Sequence, residues 1–317
     1  MINRALIRTK IVQLMYSWQN NPQPNAELAK RQLQTSLNKT YEVYFWLLLL
    51  SLEITRYAIN RIEIGLNKFR PTAEDLNPNK RFINNKFYKQ LSVNKELAEY
   101  LKATGLHWDS DSDFIKTMYE AVIASEDYKE YMAAEQNTYD DDKMVWRKIY
   151  KKVLAESDLL YEQLEDMDIY WNDDIEIVLS FIDKTIKHFS QDNNENQALL
   201  PMFNDDTDRE YAFSLLEYAL KGKDEYFKMI ASNAKNWDED RMAAMDVCTM
   251  IVAIAELINF PLIPVNVTIN EYMEISKLYS TSKSYEFLNG ILDTIATKLK
   301  KEGKLLKVAV VKKQNNN

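Results

Sequence analysis

Apolar residues recur at helical spacing along almost the whole chain. Residues 3–20 place Leu6, Ile7, Ile11, Leu14, Met15 and Trp18 on one stripe and Arg4, Arg8 and Lys10 on the other, which predicts an amphipathic helix with a basic, solvated outer face. The Asn/Pro cluster at 20–25 ends it, and Asn25 is placed to cap a polar helix through Asn38. A longer helix is predicted from Tyr41 to Phe69; it is apolar around most of its circumference near Tyr44–Leu52, so other helices must wrap it. From Arg70 to Asn204 the pattern reads as helices broken at Pro71, Pro78, Gly105–Asp113, Thr138–Asp142 and Tyr170–Asp174. Asp238–Ile258 is apolar on nearly every side, as a core helix is.

The end of the chain is the most strongly patterned part. Thr268 and Glu271 have the S/T-x-x-E spacing of a capping box, so a helix is predicted to begin near Ile269 with Tyr272, Ile275, Leu278 and Tyr279 on its buried stripe. Thr207 with Glu210 reads the same way. The hydroxyl-rich turn Ser280–Ser282 can cap a further helix whose inner face is Leu288, Ile291, Leu292, Ile295 and Leu299. Gly290 interrupts that face. In a helix interior it costs roughly 1 kcal/mol against alanine, which predicts that another backbone packs closely against it.

Composition narrows the class. Five glycines and seven prolines in 317 residues leave too little turn chemistry for a many-stranded protein, and the fold class is all-α. The single cysteine, Cys248, excludes an intramolecular disulfide, and no leader pattern opens the chain, so a cytoplasmic protein is expected. The strongly apolar run Phe45–Leu50 is far short of the roughly 20 residues that cross a bilayer. Charge is uneven: residues 1–40 hold six Lys/Arg and one Glu, residues 298–317 seven Lys and one Glu, and residues 134–210 twenty Asp/Glu against eight Lys/Arg. The acidic middle would repel RNA, whereas the two basic ends can form one patch if the fold joins them.

Catalytic chemistry is not indicated. Neither His107 nor His188 follows a Glu three positions earlier, Cys/His zinc spacing is absent, and no glycine-rich phosphate cradle or nucleophile elbow is present. The carboxylate clusters at 140–142, 173–174 and 205–206 fall at helix starts, where they complement the macrodipole. No catalytic residue, metal or cofactor is expected.

One set of residues carries more than periodicity. Pro264, Val267, Ile269, Asn270, Glu271, Lys277, Ser284, Phe287, Asn289, Gly290, Leu292 and Asp293 stand at fixed spacing, and Trp237, Arg241, Met242, Asp246, Glu256 and Leu257 precede them. Arg8, Gln13, Tyr16 and Trp18 lie in the first helix. This pattern resembles the bacterial transcription antitermination factor NusB, over the first twenty or so residues and roughly Thr207–Gly303. The resemblance implies a helical core built from 1–40 and 205–303, a helical insertion at 41–204 and a tail at 304–317. It also implies a non-enzymatic factor that binds boxA-like single-stranded RNA in nascent ribosomal RNA together with the ribosomal protein NusE, and through them the RNA polymerase elongation complex. Carried over by match, Arg4, Arg8, Lys277, Phe287 and Asn289 become RNA contacts, while Tyr16 and Asp246 face NusE; Lys283 departs from the family pattern, standing where an acidic residue is common, and is expected to add a phosphate contact. The cations would neutralise phosphates, and the aromatic and amide would meet unstacked bases. Two rival readings stand beside it: a helical scaffold, and an accessory protein of RNA modification without sequence preference.

Overall fold

The computed structural model describes residues 1–19, 25–109, 112–234, 242–305 and 307, with only the backbone of Ser282 and Lys283. Among the described residues the protein is helical throughout; its one β-type contact is an isolated bridge between Ile2 and Phe203. The chain divides into two units, one of Met1 with residues 38–202 and one of residues 2–37 with 203–317.

The first helix, α1 (Arg4–Ser17), opens on Asn3, whose side chain accepts the Leu6 amide hydrogen bond. Asn25 caps the next helix by accepting from the Leu28 amide. That helix, α2 (Ala26–Leu66), runs on where a break near residue 40 was expected. No glycine or proline interrupts it there, and Thr40 is buried with its hydroxyl bonded to Asp174. Residues up to Leu37 belong to the second unit and those from Asn38 to the first.

In the first unit, α2 is buried from Val43 through Ser51 except for a half-buried Trp46, as its all-round apolar sequence requires. The rest of the unit, from which its coat is drawn, is α3 (Ala73–Leu76), α4 (Lys86–Ser92), α5 (Lys95–Thr104), α6 (Asp113–Ala124), α7 (Glu126–Ala133), α8 (Tyr139–Ile149), α9 (Asp158–Met167) and α10 (Ile175–His188). Aromatic side chains tie this coat to α2. Tyr100 stacks on Phe45 at 3.5 Å, the Tyr150 hydroxyl donates to the Leu47 carbonyl at 2.6 Å, and the indole N–H of Trp108 donates to the Trp46 carbonyl at 3.0 Å. Two of the carboxylates that do lie at helix starts are core groups as well. Asp142 is fully buried and accepts from the Lys86 amide at 2.7 Å and the Tyr131 hydroxyl at 2.5 Å, and Asp174 takes the Thr40 hydroxyl. Burial and the neighbouring Asp142 charge hold the Tyr131 phenol above its ordinary pKa.

The second unit contains α1, the start of α2, α11 (Asp206–Asn233), α12 (Ala244–Asn259), α13 (Val265–Tyr279) and α14 (Ser282–Lys301). Asp205, not Thr207, caps α11, accepting from the Thr207 and Asp208 amides. α12 is its centre: every residue from Cys248 to Leu257 is buried. α1 packs against α11, α12 and α13, and α14 covers α11, α12 and α13 through Leu288, Ile291, Leu292, Ile295 and Leu299, all buried. Each such aliphatic side chain contributes about 1.5–3 kcal/mol on burial.

Candidate functional site

The site is built on α1, α13 and the corner between α13 and α14. α13 begins at Val265 behind Pro264, one turn before the expected start, so Thr268 lies inside the helix. Thr268 and Glu271 form no capping box, because tertiary partners claim both side chains. The Thr268 hydroxyl donates to Glu256 Oε1 at 2.7 Å, and Glu271 accepts from Arg8 Nη1 at 2.9 Å.

Arg8 corrects the reading of α1. Expected on a solvated face, it is 3% exposed and grips Glu256 through Nε (2.7 Å to Oε2) and Nη2 (3.0 Å to Oε1). The hydroxyls of Tyr211 and Tyr272 also donate to Glu256 Oε2. Five hydrogen bonds thus converge on one fully buried carboxylate. Burial works against the Arg8 charge, but the Glu256 hydrogen bond and charge more than restore it, leaving the guanidinium above its ordinary pKa. Burial and the Glu256 charge likewise push the Tyr211 and Tyr272 phenols up, so both remain protonated donors. Lys10, also expected in solvent, is 3% exposed. The signal for this network was a glutamate set in the apolar run of α12; its charged partner, Arg8, is 248 residues away in the chain.

Arg4 remains 40% exposed. It pairs with Asp208 at 2.9 Å and lies over the Tyr211 ring at 4.9 Å. Since Arg8 meets Glu271 and Gln13 donates to the Tyr279 hydroxyl at 2.8 Å, α1 and α13 run in the same direction. At about 1.5 Å per residue, Arg4 and Lys277 lie roughly 15 Å apart along this pair. The expected RNA contacts therefore do not form one cluster.

Lys277 lies in the last turn of α13, while Phe287 and Asn289 lie on α14 at i and i+2 and so point to different sides of that helix. Lys277 is exposed, pairs with Glu274 at 2.6 Å and stands 5.4 Å from the Tyr285 ring centre; Asn289 is exposed and Phe287 half-buried. Thr281 caps α14 by accepting from the Ser284 amide. Ser280 donates to Asp246, which is 3% exposed; the carboxylate expected on the partner surface is buried and braces the corner from the first turn of α12. Tyr16 is 41% exposed, one turn beyond Gln13 and hence toward the same end. Leu278, predicted on the inner stripe, is 72% exposed beside Lys277. The side chain of Lys283, together with Trp237 and Arg241, lies outside the described residues.

Gly290 also departs from expectation. It is exposed, and a Cβ placed there would meet nothing within 4 Å. Close helix packing does not explain it. Gly290→Ala should raise stability by about 0.5–1 kcal/mol, measured as the shift of the urea midpoint; an unchanged or lower midpoint would show a contact here that the fold does not reveal.

The NusB family model matches residues 173–297, a segment that runs through this corner and begins upstream of the sequence motifs, taking in α10. The transcription antitermination protein NusB of Salinibacter ruber is 36% identical over 121 residues, which span 76% of that protein and 37% of this chain. The chain belongs to the NusB family. The NusB proteins of Koribacter versatilis and Chloroherpeton thalassium are 40% and 38% identical over 96 and 99 residues, covering 66% and 47% of those proteins and 30% and 31% of this chain. No solved structure gives a significant match. Compared with these NusB relatives the chain is enlarged, and among its described residues no helix is long and apolar enough to cross a membrane.

Proposed function

We propose that this protein is an enlarged transcription antitermination factor that acts without turnover, binding boxA-like RNA in nascent ribosomal RNA jointly with NusE and so contributing to an elongation complex that resists termination. What supports this reading is that the similarity to antitermination proteins runs through α13 and α14, the helices that carry Lys277, Phe287 and Asn289. Lys277 supplies a cation for phosphate, Asn289 an amide that both donates and accepts at a base edge, and Phe287 part of an aromatic surface. Arg4, farther along α1, adds a second phosphate contact. Arg8 acts indirectly, by fixing α1 against α13. Tyr16 offers the exposed ring for NusE, and Asp246 holds the corner beside it.

The binding energy is shared. A few cations give modest RNA affinity, and a second surface on the NusE partner raises the effective concentration of the first. The test is a gel-shift titration of the full chain, with and without NusE, on boxA RNA and a scrambled control. Tighter binding of boxA than of the control, strengthened by NusE, is expected. Asn289→Ala should reduce that preference with little change in salt dependence. Capture of NusE without any RNA affinity would replace this reading with that of a protein scaffold.

A further inference from the structure

The first unit is acidic in sum, but residues 56–95 hold nine Lys/Arg against three Asp/Glu. The last turns of α2 fall in this stretch. Tyr57, Asn60, Arg61, Ile64, Asn67 and Lys68 recur at helical spacing along one side and, with Glu63, line a cleft of about 650 Å³. Just past the helix end Phe69 is 96% exposed, with the Arg70 guanidinium 6.0 Å from its ring centre. A phenyl ring this open adds nothing to the fold by burial, and it stands between two cations.

We propose that this face of the first unit is a second contact site for single-stranded RNA. Phe69 is the stacking platform for a base, Arg61, Lys68 and Arg70 meet phosphates, and the amides of Asn60 and Asn67 take base edges. Stacking on an aromatic ring is tolerant of sequence, because every base has a π face. The composition of the cleft favours RNA over an apolar protein segment, which needs a dry wall: two amides, two cations and one carboxylate, Glu63, line it beside Tyr57 and a single aliphatic side chain, Ile64, so the cations outnumber the anion. Lys68 pairs with Asp75 at 2.8 Å, but the lysine is 51% exposed, and an exposed pair of this kind exchanges readily for a phosphate. The choice of RNA as ligand rests on the function proposed above; the location does not, since none of these residues belongs to the matched segment.

The experiment uses the full chain with NusE and three RNAs: boxA alone, boxA with uridine-rich single-stranded extensions, and the uridine-rich strand alone. The extensions should tighten binding by about tenfold, the effect of one well-stacked base. Phe69→Ala with Arg70→Glu should abolish that gain and leave boxA alone unaffected, Phe69→Trp should keep it, and 4-thiouridine in the extension should cross-link within residues 57–70. A wild-type protein indifferent to the extensions, or a double variant that keeps the whole gain, overturns the proposal. So does a double variant that keeps the RNA gain but loses an acidic protein partner. If boxA alone is not bound while the uridine-rich strand is held in a Phe69-dependent way, the boxA reading fails and this one stands.

Discussion

Replacing Arg8 by alanine should cost the second unit about 3–5 kcal/mol of stability, because it removes the guanidinium that holds the fully buried Glu256 charge through two hydrogen bonds. Urea denaturation followed by circular dichroism measures the loss. An isolated buried ion pair can often be exchanged for two apolar side chains at little cost, but this one cannot. Thr268, Tyr211 and Tyr272 all donate to the same carboxylate, so Arg8→Met with Glu256→Leu leaves three buried hydroxyls without their acceptor. The double variant should therefore remain at least about 1–3 kcal/mol less stable than the wild type. Full recovery would show that Glu256 serves Arg8 alone. Arg8→Glu is no probe of RNA contact, since it would bury a third carboxylate beside Glu256 and Glu271.

Lys277→Glu should weaken boxA binding by about tenfold or more in the presence of NusE, since it exchanges an attracting charge for a repelling one at the corner. Stability should move by no more than about 0.5 kcal/mol, the usual range for an exposed site. Lys277→Ala should lower the slope of log affinity against log salt by about 0.7, the value for one phosphate contact on a single strand. Wild-type affinity in a folded Lys277→Glu protein that still binds NusE would remove Lys277 from the RNA surface.

Local signals were readable where the local chain decides. The inner faces of α1 and α14, the Asn25 cap and the all-round burial of α2 follow from spacing and from residues within a turn of each other. Thr268 and Glu271 show where that stops. Their spacing fits a cap and fits equally two adjacent steps of a buried network, and only the arrival of Arg8 and Glu256 from elsewhere in the chain separates the two. Arg8 shows the same limit: a cation opposite an apolar stripe is solvated unless a second helix covers it, and α13 covers this one. Leu278 and Gly290 failed the other way, as positions whose apolar pattern predicted packing but which face outward at the corner.

The contacts of α1 also set a timetable. Arg8 waits for Glu256 and Gln13 for Tyr279, partners 248 and 266 residues later in the chain. At a synthesis rate of about 5–20 residues per second, the first helix emerges roughly 12–50 s before its cover exists. Throughout that interval Ile7, Ile11 and Met15 lack their final neighbours, while residues 38–202 emerge entire and can fold. The second unit thus assembles late, after the first has emerged. A growing chain arrested before α12 should bind hydrophobic-surface chaperones through its N-terminus and release them once α13 has left the ribosome.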